Sequence, residues 1–280
     1  MRTKQQLDIQ EAIQYFFQLP DWLERVLWIG GAMFAVILLY IFATFISLIP
    51  IIGWVIGCCM QLCLLLIYLL LWTYLLGYQY ELIEAIVKGR KITNIRIYEN
   101  HSVRLAHGFR ILVANIIYNI PSILLYFLTF ALLFIPMTLW GVSQDSGASE
   151  ITVDYFGILG GFFFLFSYIP MFIAWFYVMF QQYFMYPAMI YLYTKKQTIS
   201  TMLKVSKIWD FIKKNFINLL LYAAILFGVG LVFTFIVTIS SFLIILCIGI
   251  FILPIVLVVG ITYFTHVQAH LLGQLCKLDK

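Results

Sequence analysis

RVLWIGGAMFAVILLYIFATFISLIPIIGWVIGCCMQLCLLLIYLLLWTYLLGYQYE, residues 25–81, decides the fold. Between Arg25 and Glu81 there is no Asp, Glu, Lys or Arg, and the apolar residues run on without alternation. A membrane-crossing helix needs roughly 20 apolar residues, so this stretch is too long for one crossing and right for two. Proline lacks an amide donor and disfavours helix just before it. Pro50, with Gly53 close behind, therefore marks the break. Unbroken apolar runs also argue against a β-barrel, whose strands alternate between lipid and lumen. What remains is the helix, which satisfies its own backbone in hydrocarbon.

The rest of the chain agrees. Of 280 residues, 64% are hydrophobic and 10% are charged, with a mean hydropathy of +1.02. Soluble domains are about 45–50% apolar and roughly 25% charged, because their outside must be polar. The expected fold is all-α: one membrane domain over 1–280, a polytopic bundle of six transmembrane helices near 26–49, 51–77, 111–140, 155–180, 216–239 and 241–265. The last two share a second stretch without Asp, Glu, Lys or Arg, Asn215 to Leu275, and their turn is expected at Thr238, Ser240 and Ser241. Residues 1–20 lack a compact apolar core followed by a small-residue cleavage site, so no cleavable leader is expected.

Charge sets the expected orientation. All 17 Lys and Arg fall in the two terminal segments or in 88–110 and 195–214, and each of these two loops carries six of them against one acid. The loop from Gly141 to Asp154 holds Asp145, Glu150 and Asp154 and no basic residue. Basic loops stay in the cytoplasm, which predicts both termini inside. The same segments are expected to lie on the membrane as interfacial helices against anionic inner-leaflet headgroups. Topology accounts in this way for the sequence pI of about 8.9, with no nucleic-acid partner.

Three units of amphipathic segment plus hairpin are expected, roughly 1–87, 88–194 and 195–280. In the first, Ile9, Ile13, Phe16 and Phe17 recur at helical spacing, with Asp8 and Glu11 as a cap and Asp21 and Glu24 repeating that cap before the first span. In the third, Ile199, Met202, Leu203, Val205, Ile208, Trp209 and Ile212 oppose Lys204, Lys207, Lys213 and Lys214. The middle segment, 92–110, sets Ile95, Ile97, Val103, Leu105 and Phe109 among Arg96, Arg104 and Arg110. LIPIIGW at 48–54 and FIPMTLW at 134–140 read as equivalent turns.

Chemistry-bearing motifs are scarce. Cys58, Cys59, Cys63 and Cys247 lie in spans and Cys276 in the tail, which is no disulfide framework and no metal set. There is no P-loop or nucleophile elbow, and HVQAH at 266–270 puts Val267 where a zinc protease carries its Glu. No catalysis, resident metal or cofactor is expected. His266 and His270, four residues apart on one helix face, are the candidates for a discrete ligand site, against the plainer reading of hydrogen-bonded helix-end histidines. Around them, Glu81, Glu84, Asn115, Asn119, Gln181, Gln182, Asn218 and Gln268 form a polar layer at the cytoplasmic ends of the helices. That layer reads as interhelical hydrogen bonding or as a pocket for a lipid headgroup or small solute. Tyr78, Tyr80, Tyr183, Tyr186, Tyr191 and Tyr193 read as an interfacial belt. Gly30, Gly31, Gly157, Gly160, Gly161, Gly228 and Gly230 read as helix-packing positions.

GG at 30–31, IPIIGW at 49–54, LLGYQYELIEAIVKGR at 75–90, HGFRILVANIIYNIPSILL at 107–125 and HVQAHLLGQL at 266–275 together resemble the prokaryotic membrane family catalogued as domain of unknown function 4013. Where members often carry Pro-Glu-Trp in the first cytoplasmic loop, this chain reads NIRIYENHSVRLAHGF. The resemblance implies a six-helix bundle in a prokaryotic cytoplasmic membrane and implies no activity. Two function classes follow. One is a non-enzymatic scaffold or accessory subunit that binds lipid, other membrane proteins or itself. The other is a transporter of lipid or an uncharged small solute, which a deep cavity between the units would favour.

Overall fold

A computed structural model describes residues 7–50, 52–96, 99–145, 150–243 and 248–278. The described residues are helical with short connections, and six helices are long and apolar enough to cross a membrane: Trp22–Ser47, Gly53–Lys88, His101–Phe134, Ile158–Lys195, Phe216–Phe242 and Phe251–Lys277. At most 33% of the apolar window of any of them is buried inside the chain. Much of the rest is exposed apolar surface, including Phe127, Phe176 and Ile217. Such an exterior is stable in lipid and not in water.

The first turn forms where Pro50 and Gly53 place it. The first span ends at Ser47 and helix resumes at Ile52. A β-carbon at Gly53 would overlap the Ile46 carbonyl, and one at Gly57 would overlap the Ser47 hydroxyl, so these glycines let the hairpin close. The second Pro-containing segment behaves differently. Helix runs from His101 to Asp145, straight through 134–140. No glycine follows Pro136 until Gly141, and backbone groups freed by a proline in a membrane helix can be re-satisfied locally. The polar cluster expected to form the last turn is helical instead. The fifth span continues to Phe242, because Thr238, Ser240 and Ser241 return their hydroxyls to the carbonyls of Thr234, Ile236 and Val237, each at 2.8 Å. A hydroxyl bonded four residues back is helix-compatible. Cys247 lies outside the described residues.

The basic segments divide. Val205–Lys214 is a separate amphipathic helix that buries Ile208, Phe211 and Ile212 and exposes its lysines. The middle segment is no such helix: a short 3-10 turn occupies Ile92–Asn94, and from His101 onward the chain already belongs to the third span. Asn100, at φ 60°, makes the tight entry, a backbone region Asn tolerates.

The chain forms two compact units, Met1–Val113 with Pro187–Lys280, and Ala114–Tyr186. In the larger, the first, second and sixth spans pack together. The N-terminal helix Ile9–Gln14 lies on the end of the sixth span: Asp8 caps it, accepting from Glu11 N at 2.9 Å, and Gln274 bonds both backbone groups of Asp8. Gly77 and Gly108 set a close crossing between the second and third spans. A β-carbon at the first would overlap the Arg104 carbonyl, and at the second the Thr73 carbonyl. Small residues permit such backbone approach. Of the glycines read from sequence, Gly30 packs against Val258, whereas a β-carbon added at Gly31, Gly161, Gly228 or Gly230 would meet nothing within 4 Å beyond its own helix backbone.

Candidate functional site

Two buried arginines organise the polar end of the larger unit. Arg25 stands one turn after Asp21; Asp21 occupies the N-cap position, but its carboxylate caps no backbone N–H and instead takes the guanidinium at 2.7 Å. The same side chain, fully buried, donates to the Ile95 carbonyl at 2.8 Å and to the Tyr78 hydroxyl at 2.5 Å. Tyr78 in turn stands 3.0 Å from His266 Nε2, and His266 Nδ1 stands 2.8 Å from the Thr262 carbonyl. A carbonyl only accepts, so the proton of His266 sits on Nδ1, and Nε2 accepts from Tyr78. The first, second and sixth spans are thus tied by one directed chain, Arg25 to Tyr78 to His266 to Thr262.

Arg104 builds the second centre, where the Gly77–Gly108 crossing brings it onto the second span. Its Nε donates to Glu81 at 2.6 Å, one terminal nitrogen to the Tyr74 hydroxyl at 2.7 Å, and the other to the Arg96 carbonyl at 2.5 Å. The guanidinium carbon also lies 5.2 Å from the Tyr78 ring centre, so Tyr78 touches both arginines. Charge buried in lipid is costly unless paired, and each arginine has its carboxylate. Tyr15, just outside the first span, is pushed well above the usual tyrosine range by burial, opposed by Arg25, and stays a neutral hydroxyl.

The residues singled out from sequence separate accordingly. Both nitrogens of His266 are engaged within the chain. His270 faces the N-terminal helix, with Nδ1 3.1 Å from the Gln274 amide and its ring 4.6 Å from Tyr15. Glu81 holds Arg104, and Glu84 accepts from Lys88 at 2.6 Å and from Gln197 at 3.2 Å. Gln268 reaches Tyr222 at 3.4 Å, and Asn218 is half-buried. In the smaller unit Asn115, Asn119 and Gln181 form a separate cluster: Gln181 donates to Asn115 Oδ1 at 2.7 Å and Asn119 to the Asn115 carbonyl at 2.8 Å, with Gln182 half-buried beside them. The polar layer is thus a set of local networks. Of the six tyrosines read as an interfacial belt, Tyr78, Tyr80, Tyr186 and Tyr193 are buried, and Tyr183 and Tyr191 are half-buried. Among the described residues no three His, Cys, Asp or Glu side chains converge as a metal set.

A cavity of about 360 Å³ opens beside these networks, lined by Trp28, Ile29, Ala32 and Met33 of the first span, Leu71, Tyr74 and Leu75 of the second, and His101. Part of its wall comes from a π-helical turn, Val26–Gly30, in the first span. Such turns displace side chains from regular helical register and recur at functional sites. Ile29, Met33 and Leu75 are buried at its floor, and Trp28 and His101 are exposed at its rim. None of these residues was a sequence candidate. Arg25 and Arg104 were masked by the charge segregation, which treats every basic residue as a flank.

Apolar helices of this length with paired charges at their ends define a multi-pass α-helical membrane protein. The chain belongs to the family described as Protein of unknown function (DUF4013), whose model matches residues 60–242. The motifs at 30–31, 49–54 and 266–275 lie outside the matched region. No curated protein and no solved structure matches the chain.

Proposed function

We propose that this is a non-enzymatic component of a prokaryotic cytoplasmic membrane, with both termini inside, that works by binding lipid and docking other membrane proteins within the bilayer. One observation carries the reading: the cavity beside the arginine networks is mostly apolar and lies within a hairpin of spanning helices, with no carboxylate in its lining. Ligand sites are concave, mostly apolar and equipped with a few placed polar groups. The arginines, Glu81 and His266 are meanwhile held in mutual hydrogen bonds that hold helices together. Ion-coupled transport draws on ionisable groups placed along a pathway, and these groups are committed to structure. The protein, purified in mild detergent and exchanged extensively, should retain phospholipid or a membrane-protein partner at defined stoichiometry by native mass spectrometry. Retention of neither, or solute uptake into liposomes driven by a proton or sodium gradient, would overturn the reading.

A further inference from the structure

We infer that the cavity between the first and second spans holds one acyl chain of an anionic phospholipid from the leaflet at the basic face, with the headgroup at His101. This deepens the lipid-binding reading and rests on it. The cavity is asymmetric: five of its eight lining side chains are purely aliphatic or thioether, Trp28 adds a mostly apolar indole, and Tyr74 and His101 stand together with Tyr74 Oη 3.2 Å from His101 Nδ1. An amphiphile with one polar end matches that asymmetry, and the long apolar faces around it place acyl chains at its mouth.

Charge complementarity selects the headgroup. Arg104 donates to the Tyr74 hydroxyl, and His101 Nδ1 lies 3.2 Å from the same oxygen; in the tautomer whose Nδ1 accepts from Tyr74, the His101 ring proton sits on Nε2, a donor at the exposed rim. His101 is the first residue of a long helix, whose leading amide groups and dipole favour an anion. The segment that leads into it, 88–100, carries Lys88, Arg90, Lys91 and Arg96; Glu84 pairs with Lys88 and Arg90, and Glu99 with Arg96, which leaves the segment with these acids net positive. A phosphate diester therefore meets a donor, a helix start and net positive charge, while its acyl chain meets Ile29, Met33 and Leu75.

Acyl-chain photocrosslinking tests the assignment. The full-length protein is placed in nanodiscs containing phosphatidylglycerol with a diazirine in one acyl chain, or the matching phosphatidylcholine. Adducts should concentrate on peptides carrying Trp28–Met33 and Leu71–Leu75, more strongly with phosphatidylglycerol. Ala32→Phe, and independently Leu71→Phe from the opposite wall, should abolish these adducts while sparing those on the outer faces. His101→Ala should keep the adducts and lose the preference for phosphatidylglycerol. Adducts spread evenly over the exposed apolar surface, or unchanged in both filled-cavity variants, would overturn the proposal. Phospholipid that survives detergent exchange but crosslinks elsewhere sinks this site and leaves the lipid-binding reading standing. Loss of all retained lipid sinks this site and the lipid-binding part of the reading, and loss of lipid and partner alike sinks the whole reading.

Discussion

Replacing Tyr78 with Phe removes one oxygen and, by this structure, unties three spans. That hydroxyl accepts from Arg25 at 2.5 Å and donates to His266 Nε2 at 3.0 Å. A hydrogen bond to a charged group contributes about 1.5–3 kcal/mol, and an orphaned buried acceptor costs about 1–3 kcal/mol. Two effects reduce the sum. Arg25 keeps Asp21 and the Ile95 carbonyl, and in membranes the unfolded state finds partners of its own, so that interhelical hydrogen bonds average only about 0.6 kcal/mol. Tyr78→Phe should therefore cost about 2–4 kcal/mol, below the simple total and above the membrane average. The assay is reversible SDS unfolding followed by circular dichroism, with Tyr68→Phe as control, since Tyr68 is exposed on the second span. A loss for Tyr78→Phe no larger than that for Tyr68→Phe would refute the claim that the Arg25–Tyr78–His266 chain holds the unit.

Gly108→Ala drives a methyl into the Thr73 carbonyl and should destabilise by about 1–3 kcal/mol or more, whereas Gly228→Ala, with open space around it, should be neutral in the same unfolding assay. The purified protein should show no stoichiometric metal by elemental analysis and no pigment band, because His266 has both nitrogens engaged. A bound metal lost in the His266→Ala, His270→Ala double variant would contradict this. In a variant lacking the five native cysteines, a cysteine at position 146 should label from outside intact cells and one at position 198 should not. Ser146 lies outside the described residues, and labelling at position 198 would reverse the orientation.

Six crossings were legible because hydrophobic length is a direct physical requirement of the bilayer, and the first turn was legible because Pro50 and Gly53 act locally. Helix ends were less so. The second span runs on to Lys88 because Tyr78, Tyr80, Leu82 and Ile83 find buried positions, and that is a tertiary fact. The fifth span passes Ser240 and Ser241 because hydroxyls that could make a turn can equally bond back into a helix. The site was the hardest part. Asp21 and Glu24 repeat the spacing of the true cap at Asp8 and Glu11, yet Asp21 serves Arg25, and nothing local distinguishes the two. Gly77 and Gly108 lie in short polar contexts, where glycine reads as an ordinary boundary residue. Their value appears only once two helices cross. The cavity has no motif, because it is made from ordinary apolar residues displaced by a π-helical turn.

What fills the space between Trp28, Met33, Leu71 and His101 decides whether the cavity is a lipid site. A structure of the protein in a nanodisc containing phosphatidylglycerol measures that. It should show one elongated chain of density along Ile29, Met33 and Leu75, with headgroup density beside His101. A cavity closed by its own side chains, or lipid density confined to the outer faces, would contradict the account.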